Sequence, residues 1–507
     1  MWLPLHTRRY VRYSEAMDEN QGSPKEERAN AFKTLIGKVY FHRVPSYGNT
    51  IFYSLGFLAL TCLTVLVVTG ITLAFMGQTW WLTNPWGIYV RSVHLWTVQA
   101  FIIVLLAHIL VGFMTSGFRP PRRMVWVFGA TIFCLVLIQT EFGYGLRGDF
   151  SSQYRAVSGA DFWNGAHLGY WLNPLNYTQA FALHVAIIPF AIFALFIAHY
   201  LLEHTYGIAR PYRKDVPYTM VAANHRILFL RGGVLVALIL ALAALFHSPY
   251  VAPVRIADVA RKDPGLMMTT LLAEFDRTSD TATYFDSIDP YTFDTRQVYI
   301  TAPYEQYILD NGNQDAWAAF ENEPADLQQA DLQQAEAYAN ATDTSAFASS
   351  TNPVIVMLNT LVPMAQGGLY ESLLNQENPT ANNTYVLRFL DDTGALHAKA
   401  ASLDMSTAEW GMAKDETGSV FKLPPGSWWL LPLGMINSAF GLLSNPYGDR
   451  DAAVILGLIM LLFVAFPYIP YVNRLPKLLH LAPFIWGRTQ GKRPRQAEPE
   501  NERADTA

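Results

Sequence analysis

Six apolar stretches constrain this chain most, because each is about as long as the roughly 20 residues that a helix needs to cross a bilayer. They lie near 51–76, 92–115, 124–146, 178–202, 228–247 and 452–472. A content of 51% hydrophobic, 14% aromatic and only 15% charged residues also favours a membrane protein. The stretch 428–443 is apolar but too short to span, and we interpret it as interfacial or re-entrant.

Charge is divided unevenly between the loops. Residues 249–424 contain 25 acidic and 9 basic residues, a net charge of −16. Basic residues cluster elsewhere, in 8–12, 25–43, 119–123, 210–226 and 474–495. These clusters fall on one side of the membrane when six spans are threaded in order. The positive-inside rule predicts that this side is cytoplasmic, with both termini inside and 249–424 outside a bacterial or archaeal cytoplasmic membrane.

The acidic segment is predicted to be a small folded insert with a loose stretch inside it. The run ADLQQADLQQAEAYANATDTSAFASS is compositionally biased, and we expect it to be flexible. The sequences RQVYITAPYEQYIL and NTYVLRFLDD favour ordered structure on either side of it.

Four histidines inside two apolar spans are the main candidate site. His94 and His108 are fourteen residues apart, and His184 and His199 are fifteen apart. At about 100° per residue, each pair lies roughly on one helix face, about 21–22 Å apart along the axis. Two antiparallel helices with such pairs could provide axial ligands for two stacked haems. The alternative is four hydrogen-bonded packing residues, but unpartnered imidazoles are costly in hydrocarbon.

Glycines repeat the same spacing in two other spans. Gly56 and Gly70 are fourteen residues apart, and so are Gly129 and Gly143. A glycine lets a flat macrocycle approach the backbone, although small residues also serve helix–helix contact in membranes. The chain has two cysteines and no CxxCH sequence, so we expect no c-type haem.

Several motifs together resemble cytochrome b of the quinol-oxidising cytochrome bc complexes. They include VPSYGNTIFYSLGF, VTGITLAF, SGFRPPR, WVFGA, FGYGLRGD and ALHVAIIPFAIFALFIAHYLLEH. The resemblance covers roughly 40–247 and 424–485, and the spacing of fourteen then fifteen resembles the split chloroplast and cyanobacterial branch. The end, PYIPYVNRLPKLLHLAPFIW, is similar to that branch's small subunit, here fused into one chain.

The resemblance implies a role for each matching residue. His94 with His184, and His108 with His199, would ligate two non-covalent b haems, near the outer and the cytoplasmic side respectively. Arg91 would face a haem propionate; the alternative is a snorkelling interfacial residue. His204 matches a histidine that lines the quinone-reducing pocket in part of the family, or is an ordinary interfacial residue.

The outer quinol pocket departs from the family pattern. The family has Pro-Glu-Trp-Tyr where this chain has PPGSWWLLP, so Ser427 replaces the glutamate that accepts a quinol proton. Serine cannot act as a carboxylate base near neutral pH. Tyr144 is retained in GYGLRGD, and the candidate replacement bases are Glu141, Asp149 or a carboxylate of the insert. Ser54 stands where the chloroplast branch has a haem-tethering cysteine, so we expect no covalent third haem there.

Two functions remain open from the sequence. The first is a diheme subunit of a quinol–cytochrome c reductase-like oxidoreductase that moves electrons across the membrane between quinone sites. A Rieske iron–sulfur protein, a cytochrome c subunit or both would be its partners, within a homodimeric multisubunit complex and without nucleic acid. The second is a diheme electron carrier that links the quinone pool to a different periplasmic oxidoreductase without bifurcation.

The expected fold is an all-α membrane protein. A four-helix diheme cytochrome b bundle is joined to additional C-terminal transmembrane helices and carries a soluble extracytoplasmic insert. We assign 1–45 to a cytoplasmic segment, 46–210 to the bundle, 211–248 to a cytoplasmic loop and fifth helix, and 249–424 to the insert. Residues 425–485 form a quinone-pocket-like segment with the last helix, and 486–507 a disordered cytoplasmic tail.

Overall fold

The structure, a computed structural model, describes residues 43–211, 218–283, 293–311, 315–341, 349–376, 384–405, 425–445, 447–479 and 482–486. Most of the expected N-terminal segment 1–45 and nearly all of the expected tail 486–507 lie outside the described residues.

The membrane part begins with a run of helices that are mostly long and apolar. In chain order they are α1 (Leu55–Met76), α2 (Gln78–Thr83), α3 (Pro85–Met114), α4 (Arg123–Gly145), α5 (Phe150–Gly165), α6 (Tyr177–Ala182), α7 (Ile188–Tyr206) and α8 (His225–Leu245). The insert and the C-terminal part follow α8.

The insert is built from shorter helices. They are α9 (Ile256–Lys262), α10 (Pro264–Asp276), α11 (Asp280–Thr283), α12 (Ala302–Asn311), α13 (Ala316–Glu321), α14 (Ala325–Ala339), α15 (Pro353–Gly367), α16 (Leu369–Gln376), α17 (Thr384–Asp392) and α18 (Ala395–Ser402). The C-terminal part contains α19 (Leu431–Ala439), α20 (Gly448–Ala465), α21 (Leu475–Leu478) and α22 (Ala482–Trp486).

Short elements complete the fold. There are π-helical turns at Leu183–Ile187 and Gln297–Thr301, and 3-10 turns at Ser46–Asn49, Ile51–Ser54, Trp428–Leu430, Leu442–Ser444, Phe466–Tyr468 and Val472–Arg474. Two three-residue strands, β1 (Arg43–Pro45) and β2 (Met220–Ala222), pair antiparallel with Val44 opposite Val221. The sequence analysis did not foresee this small ribbon.

Six helical segments among the described residues are long and apolar enough to cross a membrane. They are Ile51–Met76, Pro85–Met114, Arg123–Gly145, Tyr177–Tyr206, His225–Leu245 and Gly448–Tyr468. The six predicted spans and the all-α class are therefore confirmed. The second span, α3, starts at Pro85, earlier than predicted. The Asn84 side chain accepts hydrogen bonds from Trp86 N and Gly87 N and so caps the helix at this point.

The bundle is built from two pairs of long helices. Helix α1 lies along α3, and α4 lies along α7. Helix α8 covers α1 and α3, and α20 packs on α4 and α5. Helix α5 and the insert lie at the end of the bundle where α4 ends, which we call the insert-bearing end.

The insert and α5 share one hydrophobic core. Phe150 and Ala160 of α5 are fully buried in the cluster that also contains Leu361 of α15 and Phe389 of α17. An ion pair of 2.6 Å between Arg388 of α17 and Asp161 of α5 reinforces this contact. The insert is thus packed against the membrane part over a continuous apolar surface.

The expectation that the ADLQQ run is flexible was wrong for most of its length. Residues Ala325–Ala339 form α14, with Asp326 in the first turn and Ala335 and Tyr338 buried. Alanine, leucine, glutamine and glutamate are strong helix formers, and the buried residues anchor the helix to the insert core. The two ordered flanks were predicted correctly, because RQVYITAPYEQYIL and NTYVLRFLDD are helical over most of their described residues.

Candidate functional site

The four span histidines form two pairs, each made by one residue of α3 and one residue of the segment containing α7. The ring centroids of His94 and His184 are 6.4 Å apart, and those of His108 and His199 are also 6.4 Å apart. The rings of each pair are steeply inclined, at 67° and 74°. The two pairs lie at different levels of the same bundle, as the sequence spacing requires.

The spacing of the rings suits a single metal between them. A metal–imidazole bond of about 2.0–2.1 Å, plus a ring radius of roughly 1.1 Å, on each side places two opposed centroids about 6.3 Å apart. Both observed separations agree with this estimate. Among the described residues no group of three or more histidine, cysteine, aspartate or glutamate side chains could hold a metal ion, so a metal between either ring pair would have two imidazoles as its ligands from these residues. Two protein ligands are what the iron of a bis-histidine haem requires.

Hydrogen bonds at Nδ1 define the tautomer of three of these rings. Nδ1 of His184 lies 2.8 Å from the Gln139 carbonyl oxygen, and Nδ1 of His199 lies 2.9 Å from that of Val125. Since a carbonyl only accepts, each Nδ1 carries the proton and Nε2 keeps its lone pair. The Thr69 hydroxyl donates to Val65 O, so its oxygen accepts from Nδ1 of His94 at 2.8 Å. This outer hydrogen bond is typical of metal-bound histidine.

Each of the four predicted glycines lies against one of the four histidines. A Cβ added at Gly56 or Gly70 would lie 3.4 Å or 3.3 Å from Cε1 of His108 or His94. A Cβ at Gly129 would be 3.0 Å from Cε1 of His199, and one at Gly143 would be 2.5 Å from Cε1 of His184. The glycines therefore leave the space that the imidazole rings occupy, whereas the sequence analysis had interpreted them as clearance for the macrocycle, with helix–helix contact as the alternative.

The π-helical turn Leu183–Ile187 accounts for the spacing of fifteen. Ile188 N donates to Leu183 O, and Pro189 has no N–H to continue an ordinary α-helical ladder. In an ideal α-helix fifteen residues end about 60° past four turns, whereas fourteen end about 40° short. One extra residue in the π turn brings His184 and His199 into the same phase as His94 and His108.

Each histidine pair borders a separate cavity that also contains arginine. A cavity of about 420 Å³ at the insert-bearing end is lined by His94, His184, Arg91 and Arg147. A cavity of about 390 Å³ at the opposite end is lined by His108, His199, Arg122 and Arg231, and also by Glu203. Apolar walls with two cations each are suited to a flat macrocycle that carries carboxylates.

Asp149 holds the two arginines at the insert-bearing end. Its Oδ2 accepts from Nη2 of Arg91 and Nη2 of Arg147, both at 2.7 Å, and only 1% of the residue is exposed. Its Oδ1 accepts from Ser152 N and caps α5. The Pro249 carbonyl oxygen accepts from both guanidinium groups at 3.2 and 3.3 Å. All of these contacts orient Arg91 and Arg147 along the cavity wall.

Tyr144, which lines the cavity at the insert-bearing end, also packs against the segment around Ser427 that was matched to the family's outer quinol pocket. Tyr144 and Trp429 have ring centroids 6.4 Å apart, and both are buried with Leu95 and Ile102 of α3. Ser427 is 1% exposed, and its hydroxyl has no hydrogen-bond partner among the described residues. Tyr144, Ser427 and the two tryptophans are thus brought to one place.

Comparison with known proteins finds relatives that match part of this chain. A family model described as cytochrome b (N-terminal)/b6/petB matches residues 99–257. Cytochrome b6 of Heliomicrobium gestii is 30% identical over 208 residues, which cover 37% of this chain and 98% of that protein. The chain belongs to the cytochrome b family.

Other relatives are similar over the same share of the chain. Cytochrome b6 of Heliobacterium modesticaldum is 29% identical over 208 residues, covering 37% of this chain and 98% of that protein. That of Synechocystis is 26% identical over 193 residues, covering 33% of this chain and 85% of that protein. A solved chain titled Hyperthermophilic respiratory Complex III overlaps 71% of this chain and 98% of its own length at 16% identity, with a TM-score of 0.37.

Family membership confirms the resemblance inferred from the motifs. This cytochrome b is a multi-pass membrane protein of bc-type electron transport, and its family implies haem b as the prosthetic group. The insert lies largely beyond the region that the family model matches, since that match ends at residue 257.

Glu141 and His204, two of the predicted site residues of this cytochrome b, line neither cavity. The Glu141 carboxylate lies directly against Gly159 of α5. His204 is exposed and stacks obliquely on Tyr200 with centroids 6.1 Å apart, whereas the preceding residue, Glu203, lines the cavity at the opposite end. The α-helical phase therefore turns Glu203, rather than His204, toward that cavity.

The sequence analysis missed several cavity residues. Arg147 follows the GYG turn in GYGLRGD, Arg122 lies in SGFRPPRR, and Arg231 lies two turns inside the fifth span. An arginine within or directly beside an apolar span is itself a signal for a partner in the bundle interior. Of the cavity arginines, the sequence analysis predicted only Arg91, because its position matches an arginine of the family.

Proposed function

We propose that this chain is the diheme cytochrome b subunit of a quinol:electron-acceptor oxidoreductase of the bc type. His94 and His184 would hold one non-covalent haem b, and His108 and His199 a second. The observation that carries the proposal is the equal 6.4 Å separation of both ring pairs, each beside its own arginine-lined cavity. If the histidines served only in packing, nothing would require the ring centroids of both pairs to be separated by the same distance.

The residues around each pair have distinct tasks in this proposal. Thr69, the Gln139 carbonyl and the Val125 carbonyl keep the proton on Nδ1 and leave Nε2 free for the metal. Arg91 and Arg147 would bind the propionates at the insert-bearing end, with Asp149 keeping their orientation. Bound haem b supplies one-electron transfer at each level. With both levels occupied, the roughly 21 Å rise between them would cover most of the thickness of the bilayer core.

Quinol would be oxidised near Tyr144, Ser427 and Trp429. Quinol oxidation releases two electrons and two protons, so a base must lie within about 2.6–3.2 Å of a quinol hydroxyl or one water further. Ser427 can hold such a water but cannot keep the proton. Glu141 and Asp149 are the nearest carboxylates in sequence, and the engagement of Asp149 with two arginines makes Glu141 the better candidate.

A specific observation favours the alternative function. Ser427 replaces the expected glutamate, and the structure places the Glu141 carboxylate against α5. A chain without a base at this pocket would exchange electrons between the quinone pool and a different periplasmic oxidoreductase, without bifurcation. Its two histidine pairs would serve equally well in that role.

The arrangement in the membrane is part of the proposal. Both termini would lie in the cytoplasm of a bacterium or archaeon, with the insert outside, in a homodimer within a multisubunit complex. The proposed domain limits are 46–210 for the bundle and 249–424 for the insert, and the short helices that begin at Ile256 support the second range.

Identification of the subunits that co-purify with the chain tests the choice between the two functions. The bc-type function predicts a Rieske iron–sulfur protein, a cytochrome c subunit or both, and quinol-driven reduction of an external acceptor. A molybdenum or multihaem partner in their place would contradict it and support the diheme carrier.

A further inference from the structure

A buried amide of α3 connects this helix to the chain that leaves the insert. Gln99 is 3% exposed, and its Nε2 donates to the Pro425 carbonyl oxygen at 2.9 Å and lies 3.4 Å from that of Gly426. Its Oε1 accepts from Nε1 of Trp428 at 2.8 Å. One side chain thus binds both sides of Ser427.

Through these contacts the Gln99 amide both donates and accepts a hydrogen bond. A glutamine in an apolar span is costly unless donor and acceptor are both satisfied. Here the donor faces a backbone carbonyl before Ser427 and the acceptor faces an indole after it. A purely apolar residue would leave a carbonyl and an indole N–H without this partner in a buried place.

Gln99 lies close to the residues proposed to bind quinol. It lies five residues after His94 on the same helix, and Trp428 is packed beside the cluster of Leu95, Tyr144 and Trp429. A shift of the segment would move the Ser427 hydroxyl and the Trp429 ring together. The hydroxyl is buried without a partner among the described residues, which leaves it available to a bound molecule.

We propose that Gln99 is a positioning residue for quinol at the insert-bearing end, where it fixes Ser427 and Trp429 against Tyr144. This role rests on the proposed function, because it assumes that quinol binds there. Gln99 does not touch the quinol; it acts by holding the backbone at Pro425 and the indole of Trp428.

The test uses the full chain in its native complex and follows quinol-driven reduction of the haems before steady state. In Gln99→Leu, which removes both hydrogen bonds, we expect the KM for quinol to rise about tenfold or the reduction rate to fall by that factor. The dithionite-reduced haem spectrum should stay unchanged. Thr97→Val is the matched control, because the buried Thr97 hydroxyl donates to Val93 O within its own helix, α3.

Gln99→Glu separates positioning from general packing and guards against a misfolded leucine variant. A protonated glutamic acid can donate to Pro425 O and accept from Trp428, whereas the carboxylate faces a carbonyl oxygen. Its rate relative to the unmodified chain should therefore recover as the pH is lowered. A mere packing role would give a ratio that does not change with pH.

The outcomes distinguish this inference from the proposed function. Fast reduction in the unmodified chain, with equally fast reduction in Gln99→Leu, overturns the role of Gln99 alone. Fast reduction in the unmodified chain, with slow Gln99→Leu and pH-dependent recovery in Gln99→Glu, supports it. If quinol does not reduce the haems of the unmodified complex at all, the proposed function fails and the role of Gln99 fails with it.

Discussion

The backbone at Gly143 lies so close to His184 that an added Cβ would be only 2.5 Å from Cε1 of the imidazole. A separation below about 3 Å between carbon atoms is far inside van der Waals contact, so any side chain at this position must displace the ring. Helix α4 and the π turn that carries His184 are therefore fitted to each other at one residue.

This relationship predicts a graded series of glycine-to-alanine variants. Gly143→Ala should remove the haem at the insert-bearing end, whereas Gly70→Ala, at 3.3 Å from His94, should retain most of it. At the opposite end, Gly129→Ala at 3.0 Å should be more harmful than Gly56→Ala at 3.4 Å. Haem content per purified chain measures the series. Equal loss in all four variants would show that the glycines serve helix contact rather than the histidines.

The two candidate bases should behave differently. Glu141→Gln should slow quinol-driven haem reduction at least about tenfold with haem content intact, as expected for loss of a general base. Asp149→Asn should instead destabilise the protein, because breaking a buried ion pair costs about 3–5 kcal/mol and here leaves Arg91 and Arg147 without their shared carboxylate. Stopped-flow reduction and thermal unfolding measure the two effects. Normal haem reduction in both variants would remove both residues as the base.

Two buried carboxyl groups make the stability of the insert depend on pH. Burial, reinforced by the neighbouring Asp392 carboxyl, raises the pKa of Glu274 above its ordinary 4.5. Burial likewise raises the pKa of Asp392. The folded insert therefore keeps protons that the unfolded chain releases above about pH 4.5. Its free energy of unfolding should fall as the pH rises from there.

Calorimetry of the solubilised protein between about pH 5 and about pH 9 tests this dependence. The midpoint of insert unfolding should fall with pH in the unmodified chain and change less in Glu274→Gln. Glu321→Gln, an exposed acid of the same insert, is the control and should follow the unmodified chain. A midpoint that rises with pH would contradict the assignment.

The orientation of the chain can be tested by labelling. Gln329→Cys places a thiol on an exposed position of α14, and Tyr471→Cys places one at the opposite end of the bundle, where Tyr471 is 78% exposed. An impermeant maleimide should label the first variant in intact spheroplasts and the second only after permeabilisation. The reverse pattern would turn the proposed topology over.

The sequence predicted the elements that depend on length and periodicity. Six apolar stretches of spanning length and the spacing of the four histidines leave few alternatives for a membrane bundle. The helix at Ala325–Ala339 was missed because compositional bias was given more weight than helix propensity. The π turn could not be foreseen, since its extra residue is visible only once His184 and His199 are seen in phase.

Contacts between distant parts of the chain also could not be predicted from the sequence. Nothing in the local pattern shows that Asp149 pairs with Arg91, 58 residues away, or that Gln99 binds Pro425 across 326 residues. Both contacts depend on how helices and the insert pack, which single-sequence periodicity does not encode. A polar residue inside an apolar span is nevertheless a usable signal that such a partner exists.

Haem stoichiometry tests the central claim most directly. Pyridine haemochrome analysis of the purified chain should give two non-covalent b haems per polypeptide and no thioether-linked haem, and His108→Ala or His199→Ala should each remove one of the two. A single haem in the unmodified chain, a c-type spectrum from this polypeptide, or loss of the haem bound by His94 and His184 alone in those variants would contradict the pairing.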